Sequence, residues 1–152
     1  IGPDEIAGDV YDRLAEMGAE LLLKTIEKIE KGDVHPIPQD TSQVSFAPML
    51  KKEDGKIDWT QSSEKIVNLI RGLNPWPVAY TSTNKGTMKI YRAEKEMVSS
   101  DLPPGTVIEN SDSLTVKTGD GCVRLLEVQL QGKRKMDIRE FIRGNTISIV
   151  LD

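Results

Sequence analysis

The spacing of apolar residues predicts an amphipathic helix at the start of the chain. Over residues 1–32, apolar side chains recur at intervals of three and four, as they do on one face of a helix. We expect Asp4 to be the N-cap and Gly32 to end the helix, and we expect Gly18 to kink or divide it. This helix has no partner close in sequence, so it needs a core from elsewhere. The apolar stripe comprises Ile6, Val10, Leu14, Met17, Leu21, Ile26 and Ile29.

A second, shorter helix is predicted after a stretch with little periodicity. Residues 33–60 include the run HPIPQD and are interpreted as an extended linker, because each proline disfavours helical backbone in the residue before it. Apolar spacing then predicts a helix over residues 62–73, with Ser62 or Ser63 as its cap. Pro75 should end this helix. Its apolar stripe comprises Ile66, Leu69, Ile70 and Leu73.

From residue 78 onward the pattern is that of short β-strands. The loop 84–86 (NKG) is typical of a hairpin, and turns are expected at 110–112 (NSD) and 118–121 (TGDG). The apolar phase changes within the fifth β-run, residues 122–131, which indicates a bulge. Residues 136–143 look helical, and residues 147–151 are expected to close the sheet. The predicted strands are 78–83, 87–93, 106–109, 114–117 and 122–131.

These elements predict a mainly β protein with helices. Short strands separated by turns are typical of a small closed barrel, here an OB-like Greek-key barrel over residues 61–152. The helical segment 1–32 and the linker 33–60 precede it.

Composition adds few constraints. Of 152 residues, 38% are hydrophobic and 29% are charged, as is usual for a globular protein. No apolar run approaches the roughly 18 to 20 residues of a membrane span, so no membrane partner is expected. The single cysteine, Cys122, excludes an internal disulfide and suits the reducing cytoplasm, which is the expected location.

Charge is distributed unevenly along the chain. Residues 1–44 carry ten acidic and four basic side chains, a net charge of −6, whereas residues 45–152 carry fourteen acidic and sixteen basic ones, a net charge of +2. The pI of about 5.1 is far below the value above 9 that marks many RNA-binding domains. The mildly basic remainder permits contact with nucleic acid but does not by itself indicate it.

No catalytic or metal-binding constellation is found in the sequence. His35 is the only histidine, which excludes a two-histidine metal site, and because it lies in a Pro-rich linker we expect it to be a solvated residue rather than part of a catalytic triad. Cys122 begins a β-run and is expected to fill a small apolar role. The segment 118–121 lacks the lysine and following helix of a phosphate-binding loop and is interpreted as a turn. We therefore assign no catalytic, cofactor-binding or metal-binding residue.

Basic residues in the β-rich part are the candidate RNA-binding residues. Positive groups around a small barrel can follow a phosphate backbone, and ordinary surface charge is the alternative interpretation. Trp59 and Trp76 lie among apolar and proline residues, so we expect core packing rather than stacking on bases. The candidate RNA-binding residues are Lys85, Lys89, Arg92, Lys133, Arg134 and Lys135.

Several segments, in order, resemble the methionyl-tRNA formyltransferase family. The most specific is 70–77 (IRGLNPWP) with 79–81 (AYT), preceded by 53–59 (EDGKIDW). Other matching segments are 14–26, 38–40, 47–50, 104–106, 118–121, Gln129 and 132–136.

The resemblance implies that this chain is the C-terminal part of such an enzyme: the helical tail of a Rossmann-like catalytic domain, a linker and a tRNA-binding OB-like domain. The family transfers a formyl group from 10-formyltetrahydrofolate to methionine on initiator tRNA during translation initiation. Its catalytic Asn, His and Asp and its folate pocket would precede residue 1. The implied partner is therefore initiator methionyl-tRNA, with no cofactor held by this part and no catalysis by this part alone.

Two alternatives and one further expectation accompany this interpretation. A sugar-nucleotide formyltransferase of related build has segments similar to 57–59 (IDW) and 75–77 (PWP). The other alternative is a free-standing RNA-binding barrel with no enzyme attached. The sequence RGLN at 71–74 and the basic run at 133–135 favour the methionyl-tRNA formyltransferase family. We also expect the exposed stripe of the first helix to promote self-association.

Overall fold

An antiparallel sheet with two helices packed against it forms the core of the computed structural model, which describes residues 1–97, 101–109 and 112–149. The helices are α1 (Ala7–Glu30), α2 (Ser63–Gly72) and α3 (Ile138–Ile142), and 3-10 turns occupy Thr41–Gln43 and Lys52–Gly55. The strands are β1 (Ala79–Thr83), β2 (Gly86–Glu96), β3 (Val107–Glu109), β4 (Leu114–Lys117), β5 (Cys122–Leu130) and β6 (Met136–Asp137).

The sheet has the strand order β1-β2-β5-β4-β3, with β6 also paired to β5. All of these pairings are antiparallel, and β5 is central because it pairs with three strands. Among the described strands, no pairing joins the edges β1 and β3, so the path remains open. This mixed architecture of helices and one antiparallel sheet confirms the predicted fold at that level.

The bulge predicted in the fifth β-run is present between β2 and β5. Ile90 lies opposite Val128, and Arg92 lies opposite Glu127, so Tyr91 is an extra residue on β2. The next pair joins Ala93 to Leu125, which makes Leu126 an extra residue on β5. These insertions explain why the apolar phase of β5 changes in mid-strand, since each one moves the following side chains to the other face.

The helix α2 forms as predicted and supplies one wall of the core. The Ser62 side chain accepts a hydrogen bond from the Lys65 N–H at 3.3 Å, so Ser62 is the N-cap. Ile66 and Ile70 are fully buried against the sheet. The core also includes Ile57 and Trp59, which lie before α2 in the chain.

The turn 118–121 joins β4 to β5 and also holds the first turn of α2. The carboxylate of Asp120 accepts the N–H of Ser63 at 2.8 Å, and the Ser63 and Thr118 hydroxyls are 2.8 Å apart. The N–H of Gly119 donates to the carbonyl of Gln61 at 2.9 Å. The predicted turn is therefore confirmed, and it ties the sheet to the helix.

The first helix is continuous and begins later than predicted. Ile6, not Asp4, is the N-cap, because the Asp9 carboxylate accepts the Ile6 N–H at 3.0 Å. Gly18 neither kinks nor divides the helix, since α1 continues unbroken across it. The prediction for Gly32 is confirmed: with φ of 70° it follows the helix in a Schellman arrangement, which ends α1.

The remaining predicted elements agree with the structure in part. Residues 136–143 contain β6 followed by α3 rather than a helix alone. Of the expected closing strand, residues 147–149 are described and form a single bridge between Ile149 and Thr83, while residues 150 and 151 lie outside the described residues. The predicted turn 110–112 likewise has Asn110 and Ser111 outside them. Within the described ranges, no helix is long and apolar enough to cross a membrane.

Candidate nucleic-acid interface

Three of the predicted basic residues surround a pair of polar side chains on the outer surface of β2 and β5. Lys89 lies opposite Gln129 in the ladder. The Tyr91 hydroxyl donates to Gln129 Oε1 at 2.8 Å, and Gln129 Nε2 donates to the carbonyl of Lys133 at 2.9 Å. The ammonium of Lys135 lies 5.0 Å from the centroid of the Tyr91 ring, a cation–π distance. We call Lys89, Tyr91, Gln129, Lys133 and Lys135 the basic face.

A shallow cavity of about 230 Å³ opens beside the basic face. Its polar lining comes from Lys89, from the amides of Gln129 and Gln131, and from the backbone near Gly132. Amide and ammonium groups are the donors that bind phosphate and ribose oxygens in protein–nucleic acid complexes. Lys85 lies in the exposed loop between β1 and β2, at the same end of β2.

Ion pairs within the chain reduce the charge that the loop 133–135 presents. Lys135 Nζ lies 3.1 Å from a carboxylate oxygen of Glu127, and Arg134 pairs with Glu140 in α3. Both pairs are partly exposed, so each contributes little stability and can exchange for another anion. Among the described residues, no carboxylate forms a salt bridge with Lys85, Lys89 or Lys133, which leaves these three as the more available cations.

Arg92 lies away from the cavity beside the basic face. It lines a separate groove of about 230 Å³ between the start of α1 and β2, together with Pro3, Ile6 and Arg71. The bulge at Tyr91 changes the phase of β2 immediately before Arg92. Arg92 and Lys89 are three positions apart, which would place them on opposite faces of a regular strand. The extra residue Tyr91 returns Arg92 to the face of Lys89, because their partners Glu127 and Gln129 share one face of β5. The two residues nevertheless line different cavities.

The two tryptophans have different environments. Trp59 is 1% exposed and its indole N–H donates to the Thr81 hydroxyl at 3.0 Å, which confirms core packing. Trp76 is 57% exposed, so the prediction that it packs in the core was wrong. Its neighbours Asn74 and Val78 are buried instead and turn the segment between them outward. Apolar neighbours in sequence could not reveal this, because they fill the core themselves.

The residues set aside as non-catalytic have ordinary environments. Cys122 is buried, as predicted, and this burial raises the pKa of its thiol, which disfavours the reactive thiolate. The His35 side chain is largely solvated and lies 3.4 Å from Asp33. In the part of the chain that the structure describes, no three His, Cys, Asp or Glu side chains come together as metal ligands could.

Sequence reasoning missed Tyr91 and Gln129, the polar centre of the basic face. Tyr91 is one of three tyrosines, and it follows Lys89 by two positions on a strand, which places both side chains on one face. That spacing was the available signal. The contact with Lys135 depends on the pairing of β5 with β2 and could not be inferred from spacing.

Comparison with known proteins identifies the family. The profile of the formyl transferase C-terminal domain family matches residues 49–146. A methionyl-tRNA formyltransferase from Caldanaerobacter subterraneus is 42% identical over 147 residues, which cover 97% of this chain and 48% of that protein. One from Clostridium novyi is 44% identical over 144 residues, covering 94% of this chain and 47% of that protein. The chain thus spans about half the length of these curated relatives.

A solved structure has a fold similar to that of this chain. A HypX variant from Aquifex aeolicus has a TM-score of 0.65 at 20% identity, and the match covers 93% of this chain and 26% of that one. At this identity, the likeness concerns the fold alone. The profile match covers well over half of the residues, including the IDW and NPWP segments and the whole sheet. The chain belongs to the formyl transferase C-terminal domain family.

Proposed function

We propose that this chain is the C-terminal region of a methionyl-tRNA formyltransferase and that it holds the tRNA substrate rather than performing the transfer. The observation that carries this proposal is the 42% identity to an enzyme of that name over 97% of the chain. The longer protein would use 10-formyltetrahydrofolate to formylate methionine on initiator tRNA in the cytoplasm. The same identity disfavours a sugar-nucleotide formyltransferase and a free-standing RNA-binding barrel.

The proposed organisation has a helical tail at 1–32, a linker at 33–60 and an OB-like Greek-key domain at 61–152. Burial of Ile57 and Trp59 supports including the last residues of the linker in the packed unit. The curled antiparallel sheet with its central strand β5 is compatible with an OB-like barrel.

In the proposed mechanism, the basic face neutralises tRNA phosphates. Lys85, Lys89 and Lys133 would make the first contacts, because none of them must break a salt bridge to a described carboxylate. Arg134 and Lys135 would exchange Glu140 and Glu127 for phosphate. Arg92 would extend the contact beyond the cavity. Because phosphate contacts carry no base information, we expect binding that is largely independent of sequence.

A salt titration tests this proposal. With three or four phosphates neutralised, the slope of log affinity against log salt should be on the order of −2 to −4. The combined change of Lys133, Arg134 and Lys135 to alanine should weaken tRNA binding and flatten that slope. The matched control changes Lys24, Lys28 and Lys31, which lie on or directly after α1, to alanine and should leave the slope unchanged. Equal effects of the two triple variants would contradict the assignment.

Removal of the acidic segment provides a second test. Residues 1–44 carry a net charge of −6 and would repel RNA, so deleting them should strengthen binding, most clearly at low salt.

The isolated chain should also show no formyl transfer, because the proposed catalytic and folate-binding residues precede it. Turnover of 10-formyltetrahydrofolate with methionyl-tRNA by the 152-residue chain would overturn the proposed division of roles.

A further inference from the structure

The start of α1 is attached to the sheet through one arginine of α2. Arg71 Nη1 donates to the backbone carbonyl of Gly2 at 3.1 Å and also to that of Pro3. The second terminal nitrogen, Nη2, donates to the Asn68 side chain at 2.8 Å, which fixes the plane of the guanidinium. One terminal nitrogen of the planar guanidinium therefore binds two successive carbonyls of the N-terminal segment.

Asn74 makes the second attachment, from the turn that follows α2. Its carbonyl accepts the Gly8 N–H at 3.1 Å, and its side-chain Nδ2 donates to the carbonyl of Tyr91 at 2.9 Å. A Cβ at Gly8 would lie 3.1 Å from Pro75 Cδ, so the first turn of α1 and this turn are in close contact. Asn74 is 7% exposed and thus joins α1 to β2 from a buried position.

The linker does not provide an alternative constraint. Every residue from 31 to 54 is exposed, and the segment contains only two short 3-10 turns. A connection of this length without packing permits many orientations of the elements that it joins. The contacts of Arg71 and Asn74 therefore set the placement of α1 relative to the sheet.

The turn that bears Asn74 is itself firmly held. The Val78 N–H donates to the Leu73 carbonyl at 2.9 Å, and both residues are buried. Val78 has a φ of 72°, a conformation that is rare for a β-branched residue and persists only where the surrounding structure imposes it. The attachment point is thus a fixed support rather than a mobile loop.

The turn that bears Asn74 is also connected to the basic face, through Tyr91. Tyr91 receives the Asn74 side chain at its carbonyl, while its hydroxyl donates to Gln129 and its ring lies beneath Lys135. A chain of contacts therefore runs from the start of α1 through Asn74 and Tyr91 to the basic face.

We propose that Arg71 and Asn74 are positioning residues that orient the basic face relative to the part of the longer enzyme that precedes α1. This inference rests on the proposed function, because it supposes that tRNA held by one part must reach a reacting centre in the other. Displacement of a reactant by about 1 Å can lower a rate about a hundredfold, even when the change lies far from the chemistry. Local phosphate contacts at the basic face do not require this alignment.

The test compares binding with turnover in the longer protein. Arg71→Ala should lower kcat by about ten- to a hundredfold while leaving the Kd for tRNA largely unchanged. Arg71→Lys should recover part of kcat, because an ammonium can still donate to the carbonyls of Gly2 and Pro3. Arg139→Ala removes an exposed arginine from α3 and serves as the control, with both constants unchanged.

Hydrogen exchange on the 152-residue chain gives a second measurement. In Arg71→Ala, the Gly8 amide should exchange faster while the amides of β2 and β5 keep their protection. An Arg71→Ala protein with unchanged kcat, or one whose Kd rises in proportion to the loss of kcat, overturns the proposal. Unchanged exchange at Gly8 overturns it as well. If the unmodified longer protein transfers no formyl group, the proposed function fails instead, and the exchange result still decides whether Arg71 fixes α1.

Discussion

At the scale of single residues, the hydrogen-bond partner and the burial of a side chain decide its role more than its sequence neighbours do. Trp59 lies in the core and donates to Thr81, whereas Trp76 projects from a turn whose flanking residues are buried. The role of Asp120 likewise depends on its hydrogen-bond partner. Its carboxylate accepts the Ser63 backbone N–H, and this hydrogen bond lowers the pKa of Asp120.

Alanine substitutions should separate the two tryptophans. Trp59→Ala leaves a cavity in the core, and we expect a loss of about 3–5 kcal/mol in the free energy of unfolding. Trp76→Ala removes a side chain that is 57% exposed, and we expect a change of less than about 1 kcal/mol. Urea unfolding monitored by far-UV circular dichroism measures both. Similar losses for the two variants would contradict the described packing.

Asp120 should make stability depend on pH in the acid range. Because the pKa of Asp120 is lower in the folded state, its contribution is present above the unfolded pKa of about 3.9 and is lost as pH falls through the folded value. Asp120→Asn should therefore destabilise the protein at neutral pH, and the difference from the unmodified chain should shrink in acid. Urea midpoints across the acid range measure this, with Asp12→Asn on the exposed surface of α1 as the control. A difference that persists unchanged in acid would count against the proposed role of the carboxylate.

At the scale of elements, α2 and the turn 118–121 depend on each other. The turn supplies the Asp120 carboxylate to the first turn of α2, and Gly119 approaches the backbone before the helix. A Cβ at Gly119 would lie 2.1 Å from the carbonyl oxygen of Thr60, a distance that no side chain tolerates. The segment 118–121, which the sequence predicted only as a turn, therefore also fixes the position of α2 against the sheet.

Two glycine substitutions test whether Gly119 lies close to the backbone of Thr60 while Gly18 faces open space. Gly119→Ala must displace backbone, and we expect a loss of about 1–3 kcal/mol in the free energy of unfolding. Gly18→Ala meets no atom within 4 Å in the middle of α1, so it should stabilise the helix by up to about 1 kcal/mol. Thermal melts followed by circular dichroism would measure both. Equal shifts in the same direction would refute the described approach of Gly119 to Thr60.

The elements themselves were largely predictable, whereas their contacts were not. Periodicity identified α2, the hairpin at 84–86 and the bulge in β5, because burial on one face imposes a regular apolar pattern. It misjudged Trp76 and the cap at Ile6, where local hydrogen bonds and turns outweigh that pattern. The candidate site was anticipated through its lysines, since charge is visible in sequence. The contacts of Tyr91 and Gln129, and the return of Arg92 to the face of Lys89 across the bulge, required the strand register.

At the scale of the whole molecule, α1 beyond its first turn packs against no other element in the part of the chain that the structure describes. It has no buried residue over 24 positions, and large apolar side chains along it are 44% to 72% exposed. Only its start is attached to the sheet. An apolar surface of this extent favours association, so we propose that the isolated chain self-associates through α1.

Charged substitutions in the stripe should abolish this association. Leu14→Glu with Leu21→Glu should give a monomer, because carboxylates in the contact would lose their hydration. The control is Ile37→Glu with Phe46→Glu, two exposed linker residues of similar character. Sedimentation equilibrium over about two orders of magnitude in concentration measures the result. A monomeric unmodified chain, or a control pair with the same effect, would refute the role of α1.

The way in which Arg71 holds the chain has an evolutionary consequence. Its guanidinium binds the carbonyls of residues 2 and 3, which every amino acid possesses, rather than particular side chains. Mutations at residues 2 and 3 should therefore accumulate with little selection against them, whereas Gly8, where space is limited, should change less. The exposed residues 31–54 should likewise vary in length among descendants. The arginine would then change far more slowly than the segment that it binds.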